Sequence, residues 1–186
     1  MKIGCAVLAG GKSSRMGTDK ALLELNGETF MQMLCREFDD FEEKMIARGN
    51  RSEIPEVSWS CISDIYVNRG PIGGLHAVLS QMESDAVFCI SCDMPLLQKS
   101  LVSLLFQYMK EGIDAVIAVT EDGRKHPLCG IYRKSVVGIL EKQILSGNNR
   151  MMAALEQMQV TYVTILDADS RQLKNINTPE DYSAIQ

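Results

Sequence analysis

The stretch that most constrains this chain lies near its start. Ile3–Leu8 is apolar, short and uncharged, the signature of a buried strand. It runs without a break into Leu-Ala-Gly-Gly-Lys-Ser-Ser-Arg-Met-Gly-Thr-Asp-Lys at positions 8–20. Gly10, Gly11 and Gly17 can take backbone conformations closed to other residues, and they let a ligand approach the main chain. Lys12, Arg15 and Lys20 bring three cations into nine residues. A strand that opens into a turn rich in N–H groups and cations suits a polyphosphate. The ordinary alternative is a Gly-rich turn with solvated lysines.

This turn is neither of two familiar glycine motifs. A Walker loop needs Gly-x-x-x-x-Gly-Lys-Ser/Thr. Gly11-Lys12-Ser13 supplies its second half, but its first glycine would fall on Ala6, inside the strand. The dinucleotide fingerprint Gly-x-Gly-x-x-Gly fails at Lys12, where its second glycine belongs.

The rest of the chain reads as alternating strands and helices. Helical spacing of Phe30, Met33, Leu34 and Phe38 after a capping Thr29 predicts a helix over 30–38. Strands are predicted at 44–47, 57–62, 86–92, 114–119, 128–132 and 160–165. Helices are predicted at 71–82, 100–109, 134–144 and 151–158, with a terminal helix opened by Thr178-Pro179. Residues 121–125 read as a charged hairpin tip or loop, and His126-Pro127 as the lead-in to a strand. Such alternation predicts one domain spanning 1–186, with a mostly parallel sheet covered on both faces. Ligands then bind beyond the carboxyl ends of the strands. The opening turn, the Arg48–Arg51 turn, Asp64 and Asp93 all fall at such ends and can share one crevice.

Charge and cysteine content exclude several functions. The net charge of -5 argues against a nucleic-acid surface, although the cations at 12, 15 and 20 can still attract a small anion. No apolar run approaches a membrane span, and the first is too short for a signal peptide, so a cytoplasmic protein without membrane contact is expected. Of six cysteines only Cys89 and Cys92 have suggestive spacing. On a strand, side chains three apart point to opposite faces, so the pair cannot share a metal or a disulfide there.

Asp93, following the most apolar strand, is the best Mg2+ candidate, because Mg2+ is held by one or two carboxylates with phosphates and waters. The competing role is a cap for the following helix, for which Ser100 stands closer. Gly70-Pro71-Ile72-Gly73-Gly74 admits two readings: N–H groups open to a ligand, or close packing against a strand. No nucleophilic triad is visible. Of the two histidines, His76 falls in a helix as a packing or surface residue and His126 is a substrate-contact candidate. The lack of a general base fits phosphoryl or nucleotidyl transfer, which relies on positioning and charge neutralisation.

The turn at 8–20, together with Gly70-Pro71-Ile72-Gly73-Gly74-Leu75, Cys92-Asp93-Met94-Pro95, His126-Pro127-Leu128 and Asn175-Ile176-Asn177-Thr178-Pro179-Glu180, resembles molybdenum cofactor guanylyltransferases. The matches run in order over nearly the whole chain. The resemblance implies a three-layer α/β/α Rossmann-like nucleotidyltransferase fold with a mostly parallel, mixed central sheet. It implies GTP and a molybdopterin-type cofactor as substrates, Mg2+ as cofactor, and a guanine dinucleotide plus pyrophosphate as products. By position, Leu8, Ala9 and Gly10 line the nucleotide. Gly11, Arg15 and Lys20 hold the triphosphate, Asp64 contacts the guanosine moiety and Asp93 binds Mg2+. Asn175 and Asn177 lie towards the pterin, with His126 and Arg150 as further pterin-side candidates. Where the family has Asn-x-Asn-Arg after the second strand, this chain has Arg48-Gly49-Asn50-Arg51, so the first asparagine's contact falls to Asn50 or to a backbone group. The resemblance also implies a monomer with transient contacts to molybdenum-cofactor biosynthesis proteins or acceptor enzymes. Two other readings stand beside this one. The first is a sibling enzyme, either a cytidylyltransferase for the same cofactor or a guanylyltransferase for another phosphorylated metabolite. The second is a non-enzymatic carrier of GTP or cofactor.

Overall fold

The computed structural model describes residues 1–10, 22–49, 51 and 54–186. In chain order, β1 (Ile3–Leu8) is followed by a small hairpin, β2 (Glu24–Leu25) and β3 (Glu28–Thr29), then α1 (Phe30–Glu37), β4 (Lys44–Ala47) and β5 (Ser60–Ile62). Next come α2 (Pro71–Gln81), β6 (Ala86–Ser91), α3 (Lys99–Phe106), β7 (Ala115–Thr120) and β8 (Lys125–Arg133). The chain continues through α4 (Val137–Leu145), α5 (Met151–Leu155), β9 (Val160–Ile165), α6 (Asp167–Ser170) and α7 (Pro179–Ser183).

Among the described residues, seven strands form one sheet in the order β5-β4-β1-β6-β8-β7-β9. β8 runs antiparallel to β6 and β7, and the other pairings are parallel. The sheet is therefore mixed and mostly parallel. Strand alternation divides the core in two. On β1, Cys5 and Val7 pack with Leu34 of α1, Phe38 at its C-terminal cap, and Leu101 and Leu105 of α3. Ala6 and Leu8 face the opposite way, against Leu75 and Leu79 of α2 and Leu140 of α4. Helices thus cover both faces. Phe38 and Phe88 anchor the first face with ring centroids 5.7 Å apart. Burial of each such ring contributes roughly 1.5–3 kcal/mol.

Local chemistry explains most element boundaries. Thr29 accepts a hydrogen bond from the Gln32 N–H while the Gln32 side chain accepts from the Thr29 N–H, a reciprocal cap that starts α1. Thr178 and Asp181 cap α7 in the same way. Asn26 and Gly27 have φ of 54° and 84°, the paired positive values that a two-residue hairpin turn requires. That turn signal closes the β2–β3 hairpin, an element the periodicity alone does not reveal.

The strand predicted over 57–62 is confined to Ser60–Ile62. The one predicted over 128–132 begins earlier, at Lys125, so His126 lies in β8 and not in a loop. Pro127 is tolerated there because the β7–β8 register slips: Ile117 pairs with Gly130, and Ala118 with His126. A residue without an N–H belongs at such a bulge. α6 occupies part of what reads as a polar connection.

Candidate active site

The strand order reverses direction at β1. The chain first builds β4 and β5 on one side of it, then crosses to place β6 on the other. A crevice opens beyond the carboxyl ends at such a switch point. The end of β1 is tied to both neighbours: Ala9 N–H donates to Ala47 O at 2.9 Å, and Leu8 O accepts from Cys92 N–H at 3.1 Å. Leu8 and Ala9 are buried, and Gly10 is half-buried. The Arg51 guanidinium donates to Ala9 O from the β4 side. Gly49, at φ 59°, presses on Gly10 so closely that a β-carbon added to it would stand 2.8 Å from the Gly10 Cα. Gly11, Lys12, Arg15, Lys20 and Asn50 lie outside the described residues.

Asp64 follows β5 and leans over the first turn of α2. A β-carbon on Gly73 would stand 3.2 Å from its Oδ2, and one on Gly74 would stand 3.4 Å from both Leu8 Cδ2 and Ala47 Cβ. The Gly73 N–H donates to Gly70 O at 3.0 Å. Of the two readings of this glycine pair, close packing describes the structure: the glycines bring α2 against the strand ends and make room for Asp64. Burial pushes the Asp64 carboxyl up, opposed by a hydrogen bond from the Gly49 N–H. Its Oδ1 is buried and has no protein partner. A buried carboxylate oxygen left unpartnered is costly, and a ligand N–H or O–H group would relieve that cost. Arg48, which stands where the family has asparagine, turns away: its guanidinium donates to Ser63 Oγ at 3.0 and 3.1 Å.

Across the crevice, Asp93 follows β6. Asn175 Nδ2 donates to its Oδ1 at 2.9 Å, and Ile176 N–H donates to its main-chain oxygen at 2.8 Å. Asp93 does not cap α3. That helix starts after Gln98 with no side-chain cap, and Glu37 Oε1 accepts the Lys99 N–H at 2.9 Å. Ser100 lies within α3 and is not its cap either. Among the described residues, no group of three or more His, Cys, Asp or Glu could enclose a metal. One carboxylate that accepts from an amide donor still fits Mg2+, which completes its shell with substrate oxygens and water.

The four pterin-side candidates reach the same edge by different routes. His126 is the second residue of β8, whose start lies at the C-terminal end of β7. It is buried, its Nε2 has no protein partner, and burial together with Arg124 lowers its pKa, with Asp122 opposing. α4 returns the chain to this edge, and Arg150 stands exposed at the start of α5, its N–H donating to Asn148 Oδ1 at 3.2 Å. Asn177 N–H donates to Asp181 Oδ2 at 3.1 Å. Asn175 is brought onto Asp93 itself. Sequence reasoning missed the Arg51–Ala9 contact, although Arg51 stood in the polar turn it singled out. It also missed the Tyr66 ring set against His76 at 5.2 Å, with the Tyr66 hydroxyl donating to Glu141 at 2.7 Å.

Cys89 and Cys92 fall in opposite core layers and are not joined in a disulfide. Burial pushes the Cys89 thiol up, as suits an inert packing residue. Among the described residues, no helix is long and apolar enough to cross a membrane.

Residues 5–162 match the family model of the MobA-like NTP transferase domain. A relative from Clostridium perfringens, named as a probable molybdenum cofactor guanylyltransferase, is 32% identical over 98% of this chain and 95% of its own. The solved molybdopterin-guanine dinucleotide biosynthesis protein A of Archaeoglobus fulgidus superposes with a TM-score of 0.83, at 24% identity, over 98% of this chain and 96% of its own. A solved protein of Aquifex aeolicus gives a TM-score of 0.79 at 30% identity, covering 94% of this chain and 93% of its own. With β1 central in a mixed sheet and a crevice between β4 and β6, the chain belongs to the MobA-like NTP transferase family and is a nucleotidyltransferase.

Proposed function

We propose that this enzyme transfers GMP from GTP to the terminal phosphate of a molybdopterin-type cofactor, giving the guanine dinucleotide form and pyrophosphate. Family membership over nearly the full length of guanylyltransferase relatives carries this reading. An oxygen of the acceptor phosphate attacks the α-phosphorus of GTP. The bond from that phosphorus to the bridging oxygen breaks, and the electron pair leaves with pyrophosphate. The attacking phosphate is already ionised near neutral pH, so the site needs no general base. It must align two anions and offset their charge.

The residues divide that work as follows. Leu8, Ala9 and Gly10 give the nucleotide a backbone floor, held in place by Arg51 and Gly49. Asp64 directs its unpartnered Oδ1 to a donor of the guanosine. Gly11, Arg15 and Lys20 take the triphosphate and the departing pyrophosphate, and Asn50 completes the nucleotide side. Asp93 is the ligand for Mg2+, which when bound screens phosphate charge. His126, Arg150, Asn175 and Asn177 form the acceptor side. The protein works as a cytoplasmic monomer with transient contacts to proteins that supply or receive the cofactor.

Pyrophosphate release measured with GTP or CTP and the pterin acceptor tests the reading. Release with GTP is expected, and loss of it in Lys20→Ala and Asp93→Ala. Preference for CTP would make the protein the cytidylyl sibling. GTP binding without pyrophosphate release would make it a carrier.

A further inference from the structure

The segment carrying Asn175 grips Asp93 at two points. The Asn175 amide donates to the carboxylate and the Ile176 N–H to the main-chain oxygen of the same residue. The segment is itself anchored. Ile176 is fully buried in a small apolar cluster with Leu25 and Phe30. The Tyr182 ring sits edge-on to Phe30 at 6.0 Å, and its hydroxyl donates to Glu24 O. Asp93 follows the end of β6 and begins an irregular stretch, so the two bonds from this segment help to set both its backbone and its carboxylate. An amide cannot ionise and always offers a donor, so it suits an acceptor that must stay a carboxylate.

We propose that Asn175 is a positioning residue for the cation-binding carboxylate: its amide fixes one Asp93 oxygen and thereby the direction in which the carboxylate meets the metal. This deepens the reading above and rests on Asp93 being the Mg2+ ligand. Hydrogen-bond partners behind a metal ligand typically carry about 10–100-fold in metal affinity. The role differs from direct contact with the acceptor, which would leave metal affinity alone.

The test is Mn2+ binding at fixed GTP, read by electron paramagnetic resonance of the protein-bound ion, beside the acceptor KM. Asn175→Ala is expected to weaken Mn2+ by about 10–100-fold. Asn175→Ser, too short to reach Asp93, is expected to do the same and serves if the alanine variant does not fold. Asp93→Ala should abolish the bound-ion signal. A raised acceptor KM with wild-type Mn2+ affinity in the Asn175 variants would overturn the positioning role while leaving Asp93 as ligand. Wild-type Mn2+ affinity in Asp93→Ala would instead overturn the assignment of Asp93, and the proposal with it.

Discussion

Gly10 and Gly49 meet backbone to backbone at the mouth of the crevice, and a β-carbon on Gly49 would stand 2.8 Å from the Gly10 Cα. Gly49 also adopts φ 59°, which costs an L-residue roughly 1–2 kcal/mol. Gly49→Ala is therefore expected to destabilise the fold by about 1–3 kcal/mol and to weaken GTP binding by displacing Gly10. Urea unfolding and calorimetric titration with GTP measure the two effects. Lost stability with unchanged GTP affinity would place the nucleotide away from Gly10.

Asp64 carries a cost that its ligand should repay. Burial raises its folded pKa above the ordinary 3.8. Between those two values the folded state binds more protons than the unfolded one, so stability falls as pH rises through that window and stays lower above it. Asp64→Asn removes this loss. The variant is expected to melt higher at pH 7 and to show a flatter acid-side profile. GTP affinity should drop about tenfold or more, as for loss of a charge-assisted hydrogen bond. Calorimetric melting across pH 3–7 and GTP titration check both halves.

His76 and His126 act on stability with the opposite sign. Burial is the first cause that lowers each below 6.5. His76 faces the Tyr66 ring and feels the Glu141 charge. His126 feels the opposing charges of Arg124 and Asp122. The unfolded chain protonates these rings first, so the stability they support is whole above pH 6.5 and is lost as the pH falls below it. The double variant His76→Gln/His126→Gln should lose less stability than the parent between pH 6.5 and 5. A steeper loss would contradict the burial argument.

Ile176 links the terminal segment to Asp93. Ile176→Ala removes a fully buried side chain, and about 2–5 kcal/mol is expected to go with it. Ile176→Val should cost about 0.5–1.5 kcal/mol. Hydrogen exchange at the Ile176 amide, which donates to Asp93 O, should accelerate in step with the cost. Acceleration confined to α7 would show that the Asp93 anchor survives without this side chain.

Uncharged runs such as those of β1, β6 and β7 announce themselves in the sequence, because a strand buried on both faces has little room for polar residues. Thr29 and Thr178 marked their helix starts through capping chemistry. The extent of β8 did not show, since Pro127 reads as a breaker unless the bulge opposite Ile117 and Ala118 is known. The same limit applies to the site. Strand ends told which residues share an edge, but the pairing of Asn175 with Asp93 depends on how the last segment crosses the sheet, and no local pattern encodes it. The glycines of α2 could be either anion cradle or packing surface until Asp64 and Leu8 were seen against them.

The place of β1 in the middle of the sheet sets a timetable for the newborn chain. Its six residues are made before either neighbour, yet Leu8 pairs with Ser91 on one side and Ala47 on the other. Until β6 has been synthesised, the most apolar edge of the nascent polypeptide stays open, a template for unwanted strand pairing. With the nucleotide floor proposed at the end of β1, where Ala47 and Cys92 hold it, nucleotide has no complete site to bind at that stage. Cellular yield of this enzyme should therefore respond to chaperones that shield early strands more than to the supply of its substrate.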